Sequence, residues 1–309
     1  MRIVFLGTPE FAVPSLQALF SADHEIEAVY TQPDRPKGRG NQLTESPVKA
    51  AANKLGLPVR QPERIRRPPA IEELRGIAPD LMVVVGYGQI IPQEIIDIPR
   101  HGILNVHASL LPKYRGAAPI QWAIANGEIE TGITMMQIDA GLDTGDMLLK
   151  STVNIDANET APELSARLAP LGADLLIKTI AEIERGIITR EKQNNDEASY
   201  APTLKKEDGR IDWSRASQQI YNRLRGFTPW PGAYTIFRGQ PLSIIWGKPA
   251  PLEPIPQATV EIRHRHLFAG CGEGSVFELL EVQPAGKKKM SADAFLNGYR
   301  VESGERLGV

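Results

Sequence analysis

The sequence is short of several features that would place it in other classes. Its 309 residues include one cysteine, Cys271. That excludes a disulfide framework within the chain and a cysteine-cluster zinc site, and it suits a reducing compartment such as the cytoplasm. Long apolar runs are missing too. The longest uncharged apolar stretch, Leu81 to Gln93, has 13 residues, whereas a membrane helix needs about 20. The apolar start at Ile3–Leu6 is cut by Gly7, Pro9 and Glu10, so neither a secretory signal nor a membrane association is expected. Excess charge of one sign is absent, with 35 Lys and Arg against 37 Asp and Glu for a net −2. This excludes a protein that coats nucleic acid indiscriminately, though not one with a local basic patch. None of the five histidines stands at metal-ligand spacing, so no metal is expected. There is no Gly-x-Ser-x-Gly elbow and no Walker A loop.

What is present is a globular composition, 42% hydrophobic and 23% charged. The length exceeds the roughly 100–200 residues of a typical domain, so two domains are expected. Short branched-apolar runs at Ile3–Leu6, Glu25–Thr31, from Val59, Leu81–Val85, Gly102–His107 and Gly132–Ile138 read as strands, with helices between most of them. Thr8-Pro9 and Ser46-Pro47 each have the form of a helix cap followed by proline. Strands alternating with helices imply parallel βαβ units, hence an α/β fold with a Rossmann-like, mostly parallel sheet. Past residue 190 the pattern changes. Residues 191–206 are polar and read as a linker between a domain at 1–190 and another at 207–309. The second domain opens with a helix over Ser214–Arg225. Short strands follow at Tyr234–Phe237, Leu242–Trp246, Thr259–Ile262 and Val276–Leu280, as in a small β-barrel. A surface strand is expected around Arg263 to His266. Charge is divided unevenly: residues 1–204 hold 20 Lys and Arg against 26 Asp and Glu, a net −6, and residues 205–309 hold 15 against 11, a net +4. Such asymmetry suits a nucleic-acid-binding module, or an ordinary solvated surface.

Chemistry can be looked for at the ends of strands. The first βα turn, Gly7-Thr8-Pro9-Glu10-Phe11, keeps only the first glycine of a dinucleotide fingerprint. In Asn105-Val106-His107, alternation puts Asn105 and His107 on one face, about 6–7 Å apart. An asparagine amide can donate to a developing oxyanion, and a histidine can take and return a proton near neutral pH. The same pair could equally serve only to hydrogen-bond loop backbone. A carboxylate beside the histidine would orient it, and Asp139, Asp143 and Asp146 on the glycine-rich loop after the next strand all qualify. Spacing does not choose among them. Lys113 and Arg115 put two cations beside the same strand end. Thr31 to Gly40 packs three cations, Arg35, Lys37 and Arg39, into a long loop suited to a phosphate backbone or simply to solvent.

Together these segments resemble the methionyl-tRNA formyltransferase family of folate-dependent enzymes. The resemblance runs through Gly7–Phe11, Thr31–Pro36, Asn105–Pro112 and Gly141–Asp146. In the C-terminal half it runs through Arg210-Ile211-Asp212-Trp213, Pro229-Trp230-Pro231 and Gln283–Lys288. It implies transfer of a formyl group from 10-formyltetrahydrofolate to the amino group of methionyl initiator tRNA, with no metal. It implies an OB-like barrel as the tRNA-binding second domain and a catalytic trio of Asn105, His107 and Asp143. Ser109, Leu110, Leu111 and Pro112 match the folate segment. Arg35, Lys37 and Arg39 match a loop that meets the acceptor stem. Ala108 stands where some members have glycine, and Asn41-Gln42 where some have lysines. A formyltransferase acting on a small amine, or a catalytically dead tRNA-binding protein, is the alternative. A monomer is expected, since nothing marks an exposed apolar interface.

Overall fold

The computed structural model describes residues 1–37 and 42–309, with the side chains of Lys37 and Gln42 left aside. The chain forms two compact units. The first comprises Met1–Pro119, Glu130–Asn154 and Leu164–Pro202; the second comprises Ile120–Ile129, Ile155–Glu163 and Thr203–Val309. Among the described residues no helix is long and apolar enough to cross a membrane.

The first unit is built on β1 (Arg2–Gly7), β2 (Glu25–Tyr30), β3 (Arg35–Lys37), β4 (Gln42–Thr44), β5 (Val59–Arg60), β6 (Leu81–Val85), β7 (Ile103–His107), β8 (Glu130–Gln137) and β9 (Met147–Asn154). Helices α1 (Val13–Ser21), α2 (Pro47–Lys54), α3 (Pro68–Ile77) and α4 (Gln93–Ile96) lie between them. Next along the chain come α5 (Pro119–Ala125), which from Ile120 on belongs to the second unit, and α6 (Ala161–Glu184). Seven strands form one sheet in the order β5-β2-β1-β6-β7-β8-β9, and β3 and β4 pair as a separate hairpin. β6 and β7 are buried at every position. Burial on both faces is why β6 reads as an unbroken apolar run.

The sheet is mostly parallel, as expected: the strands from β5 to β7 run parallel, while β8 runs antiparallel to β7 and pairs with β9 as a hairpin. β9 escaped the sequence reading because its edge position leaves alternate residues exposed. Two expectations, for Thr8 and for His264 and Arg265, are corrected. Thr8 does not cap a helix: its hydroxyl donates to the Tyr87 carbonyl at 3.0 Å and accepts from the Gln32 amide at 3.4 Å, tying three strand ends together. His264 and Arg265 are not in a strand. With φ of 50° and 68° they form the two-residue turn between β12 (Val260–Arg263) and β13 (His266–Gly270), a geometry that matches the twist of the strands it joins. Ser46 does cap α2, accepting from the Lys49 amide at 3.0 Å with Pro47 in the first turn.

In the second unit, α7 (Ser217–Phe227) precedes β10 (Ala233–Phe237) and β11 (Gln240–Ala250). After β12 and β13 come β14 (Val276–Pro284), β15 (Met290–Ser291) and α8 (Ala292–Tyr299). The strands form an antiparallel sheet, β10-β11-β14-β13-β12, with β15 on β14. Its core includes Trp213, Leu224, Phe277 and Phe295, and the Trp213 indole donates to the Thr235 hydroxyl at 2.9 Å. Residues 304–308 bridge the two outer strands: the Gly308 amide donates to the Ile236 carbonyl, and the Val260 amide donates to the Glu305 carbonyl. Residues 120–129 cluster here because α7 lies close against them. A side chain at Gly226 would meet the Gln121 carbonyl at 2.6 Å, and Trp122 packs edge-on to Phe227 at 5.2 Å. Cys271 is buried, and burial pushes its thiol up to about 12, so it is no nucleophile.

Candidate active site

Asn105 and His107 are buried at the carboxyl end of β7, 9% and 5% exposed, and both face Asp143. The next residue between them, Val106, points the other way, toward Gly172 of α6. The trio therefore occupies the sheet face opposite α6. The route of the Asp143 loop follows from the antiparallel pairing. Leu104 is opposite Gln137 and His107 opposite Thr134. The chain thus leaves β8 at the amino end of β7, and the loop folds back over the sheet face instead of reaching across a neighbouring strand end.

Of the three candidate carboxylates, the structure brings Asp143 to the pair. Asn105 Nδ2 donates to Asp143 Oδ1 at 3.4 Å, and His107 Nδ1 lies 3.7 Å from Asp143 Oδ2. Asp143 Oδ2 also accepts from the Gly116 amide at 2.8 Å. Asp139 shapes the turn, accepting from the Gly141 amide and the Thr144 hydroxyl. Asp146 contributes its carbonyl to the Gln137 amide. On its other side His107 Nε2 lies 3.0 Å from the Tyr114 carbonyl. A carbonyl only accepts, so Nε2 carries hydrogen. In the neutral ring Nδ1 then presents its lone pair, and a proton taken up there faces the Asp143 carboxylate.

The segment matched to the folate site has two kinds of residue. Ser109 and Leu111 are buried. The Ser109 hydroxyl donates to the Lys113 carbonyl, and Thr134 Oγ1 links the Ser109 carbonyl to the Leu111 amide. Leu111 packs with Met136 and Met147. Leu110 and Pro112 are half-buried. Arg115 is not the open cation that its position suggested. It is 2% exposed, and its guanidinium donates to Gln193 Oε1 and Asn195 Oδ1, both at 2.9 Å. Lys113 is exposed.

A cleft of about 730 Å³ opens at the carboxyl ends of β1, β2 and β6, lined in part by Thr8, Gln32, Arg35, Ser46 and Tyr87. Arg35 is exposed and begins β3, where Lys37 ends it; Arg39 lies outside the described residues. Asp34 holds the root of this hairpin. It accepts from Lys49 Nζ at 2.5 Å and Gln61 Nε2 at 2.7 Å, and these bonds hold its carboxyl below the usual range. Among the described residues no group of three His, Cys, Asp or Glu side chains is arranged to hold a metal ion.

Comparison with known proteins shows the family. The family described as Formyl transferase matches residues 1–180, and the one described as Formyl transferase, C-terminal domain, matches residues 203–300. The chain belongs to the formyl transferase family. It is 58% identical over its whole length to the methionyl-tRNA formyltransferase of Solibacter usitatus, covering 99% of that protein. Identity to the methionyl-tRNA formyltransferase of Koribacter versatilis is 55%, again over the whole chain and 99% of the relative. Among solved structures the fold is shared with the N-formyltransferase of Helicobacter canadensis, crystallised with folinic acid and dTDP-3-aminofucose. The TM-score is 0.70 at 22% identity, over 91% of this chain and 98% of that one. It is shared as well with the sugar 3N-formyl transferase WlaRD (TM-score 0.68, 23% identity, 93% and 99% covered).

Residues the sequence reading did not single out complete the site. Tyr114 acts through its backbone carbonyl, which no side-chain pattern reveals. Gln193, in the polar segment read as a linker, donates to the carbonyls of Asp143 and Gly145, each at 2.8 Å. Nothing in its sequence neighbourhood marks it.

Proposed function

We propose that the chain transfers the formyl group of 10-formyltetrahydrofolate to the α-amino group of methionyl initiator tRNA. The observation that carries this reading is the meeting of Asn105, His107 and Asp143 on one face of β7, in a chain 58% identical end to end to a methionyl-tRNA formyltransferase.

The folate supplies the formyl group when bound. The half-buried Leu110 and Pro112 would hold it beside the trio, and Ser109 and Leu111 would fix the segment that carries them. Attack of the methionyl amine on the formyl carbon places negative charge on the formyl oxygen. The Asn105 amide can donate to that oxygen. His107 takes the proton released by the amine and returns it to the departing folate nitrogen. Asp143 orients the ring and pairs with its charged form. The cleft lined by Thr8, Gln32 and Arg35 lies at the carboxyl ends of β1, β2 and β6, the last of which pairs with β7, and it suits the aminoacyl end of the tRNA.

In this reading residues 1–190 are the catalytic domain, 191–206 join it to 207–309, and the latter is an OB-like barrel that meets the tRNA. The tail at 304–308, hydrogen-bonded to both outer strands, supports closure into a barrel. The net +4 of residues 205–309 supports a phosphate-facing role, with Arg35, Lys37 and Arg39 as further contacts. The protein works as a monomer in the cytoplasm.

The test supplies 10-formyltetrahydrofolate with methionyl initiator tRNA and, separately, with small amines. Formylated tRNA is the expected product. Transfer to small amines alone would overturn the tRNA reading.

A further inference from the structure

We infer that Gln193 is a positioning residue for Asp143, and that the segment around it is a strap holding both loops of the site. The inference rests on the function proposed above for its kinetic part only.

The Gln193 amide is used at both ends. Nε2 has two hydrogens, and it donates to the carbonyls of Asp143 and Gly145, each at 2.8 Å. Oε1 accepts from Arg115 Nε at 2.9 Å, while the other end of that buried guanidinium donates to Asn195 Oδ1. Gln193 is thus itself oriented by a fork whose position is set by burial.

Asp143 needs such support. Its φ is 52°, a left-handed conformation that residues with a Cβ adopt only at a cost. A conformation of this kind persists where the surroundings over-determine it. Gln193 grips the backbone at Asp143 and again two residues on. The carboxylate is thereby aimed at Gly116, Asn105 and His107.

The same segment also ties the loop on the other side of His107. Glu191 exchanges two backbone bonds with Met147 at the start of β9. The Arg115 amide donates to the Ser199 carbonyl, the Ala201 amide donates to the Arg115 carbonyl, and the Tyr114 amide donates to Ser199 Oγ. Tyr114 is the residue whose carbonyl receives the His107 N–H, and it too is left-handed, at φ 61°. Residues 191–201 therefore set the positions of the carboxylate and of the histidine's second partner together.

A glutamine that merely satisfies Arg115 predicts something different from one that positions Asp143. Gln193→Glu separates the two. A carboxylate keeps and strengthens the pairing with Arg115, but it cannot donate to the carbonyls of Asp143 and Gly145. The expected result is a kcat lower by roughly 10- to 100-fold, the loss that follows from a displacement of about 1 Å. KM for methionyl initiator tRNA should not change. Without any substrate, the Gly116 amide proton resonance should move as its carboxylate acceptor shifts. In an Asp143→Ala background, Gln193→Glu should add no further loss of kcat. An unchanged kcat with an unmoved Gly116 resonance would overturn the inference, as would a full additive loss in the double variant. If Gln193→Glu does not fold, Gln193→Ala takes the same measurements, since Arg115 keeps Asn195. Failure of the unaltered protein to formylate the tRNA would overturn the proposed function alone, because the Gly116 resonance reads the strap without substrate.

Discussion

The amide of Gly116 donates to Asp143 Oδ2 at 2.8 Å, and this bond joins the loop after β7 to the loop after β8. It fills one lone pair of the carboxylate and leaves the rest of the group facing Asn105 and His107. It also explains the glycine. At φ 118° a side chain here would be strained and would meet the Ala201 carbonyl at 2.7 Å.

If His107 moves the proton and Asp143 orients its ring, as proposed, removal of either should be severe. His107→Ala and Asp143→Ala are each expected to lower kcat by about 10²- to 10⁴-fold with little change in tRNA affinity. Single-turnover formylation and filter binding check this. Near-normal turnover in either variant would remove the trio from the mechanism.

Gly145→Ala tests the loop without touching a functional group. A Cβ at Gly145 would overlap the Gln137 carbonyl oxygen, a backbone atom that cannot turn aside. The loop must move and take Asp143 with it, so kcat should fall by roughly 100-fold while the protein stays folded. Circular dichroism alongside the kinetics separates displacement from unfolding.

Binding of the tRNA and of the folate should respond differently to salt. A polyanion held by cations loses affinity as salt rises because counterions are released. Arg35→Ala should reduce the slope of log K against log salt by about 1. Titrations of both substrates from low to physiological salt check this, and equal slopes would remove the electrostatic argument.

Cys271 should be inert in the native protein. Its thiol is buried and pushed up to about 12, so almost none is thiolate near pH 8. Alkylation by iodoacetamide is expected only after denaturation, and mass spectrometry of the intact chain reads it directly. Labelling of the native protein at the rate of a free thiol would contradict the burial.

Much of the first unit was legible because its signals are local. Leu81–Val85 is uniformly branched and apolar, and it is buried at all five positions. Ser46-Pro47 announced α2 because cap and proline act on adjacent backbone. Elements without a local signal were missed. β9 is an edge strand of mixed polarity, and the β12–β13 turn is made by His264 and Arg265, neither a usual turn residue.

For the site itself, the two-residue period of a strand was enough to put Asn105 and His107 on one face from sequence alone. Period says nothing about a partner 38 residues away. Spacing left Asp139, Asp143 and Asp146 open; the family resemblance pointed to Asp143, and bringing its carboxylate to the pair was a tertiary decision. So were the burial of Arg115 and the recruitment of Gln193 from a polar segment. Each depends on where an antiparallel β8 sends its loop and on hydrogen bonds to backbone carbonyls, which every residue type possesses and no sequence pattern encodes.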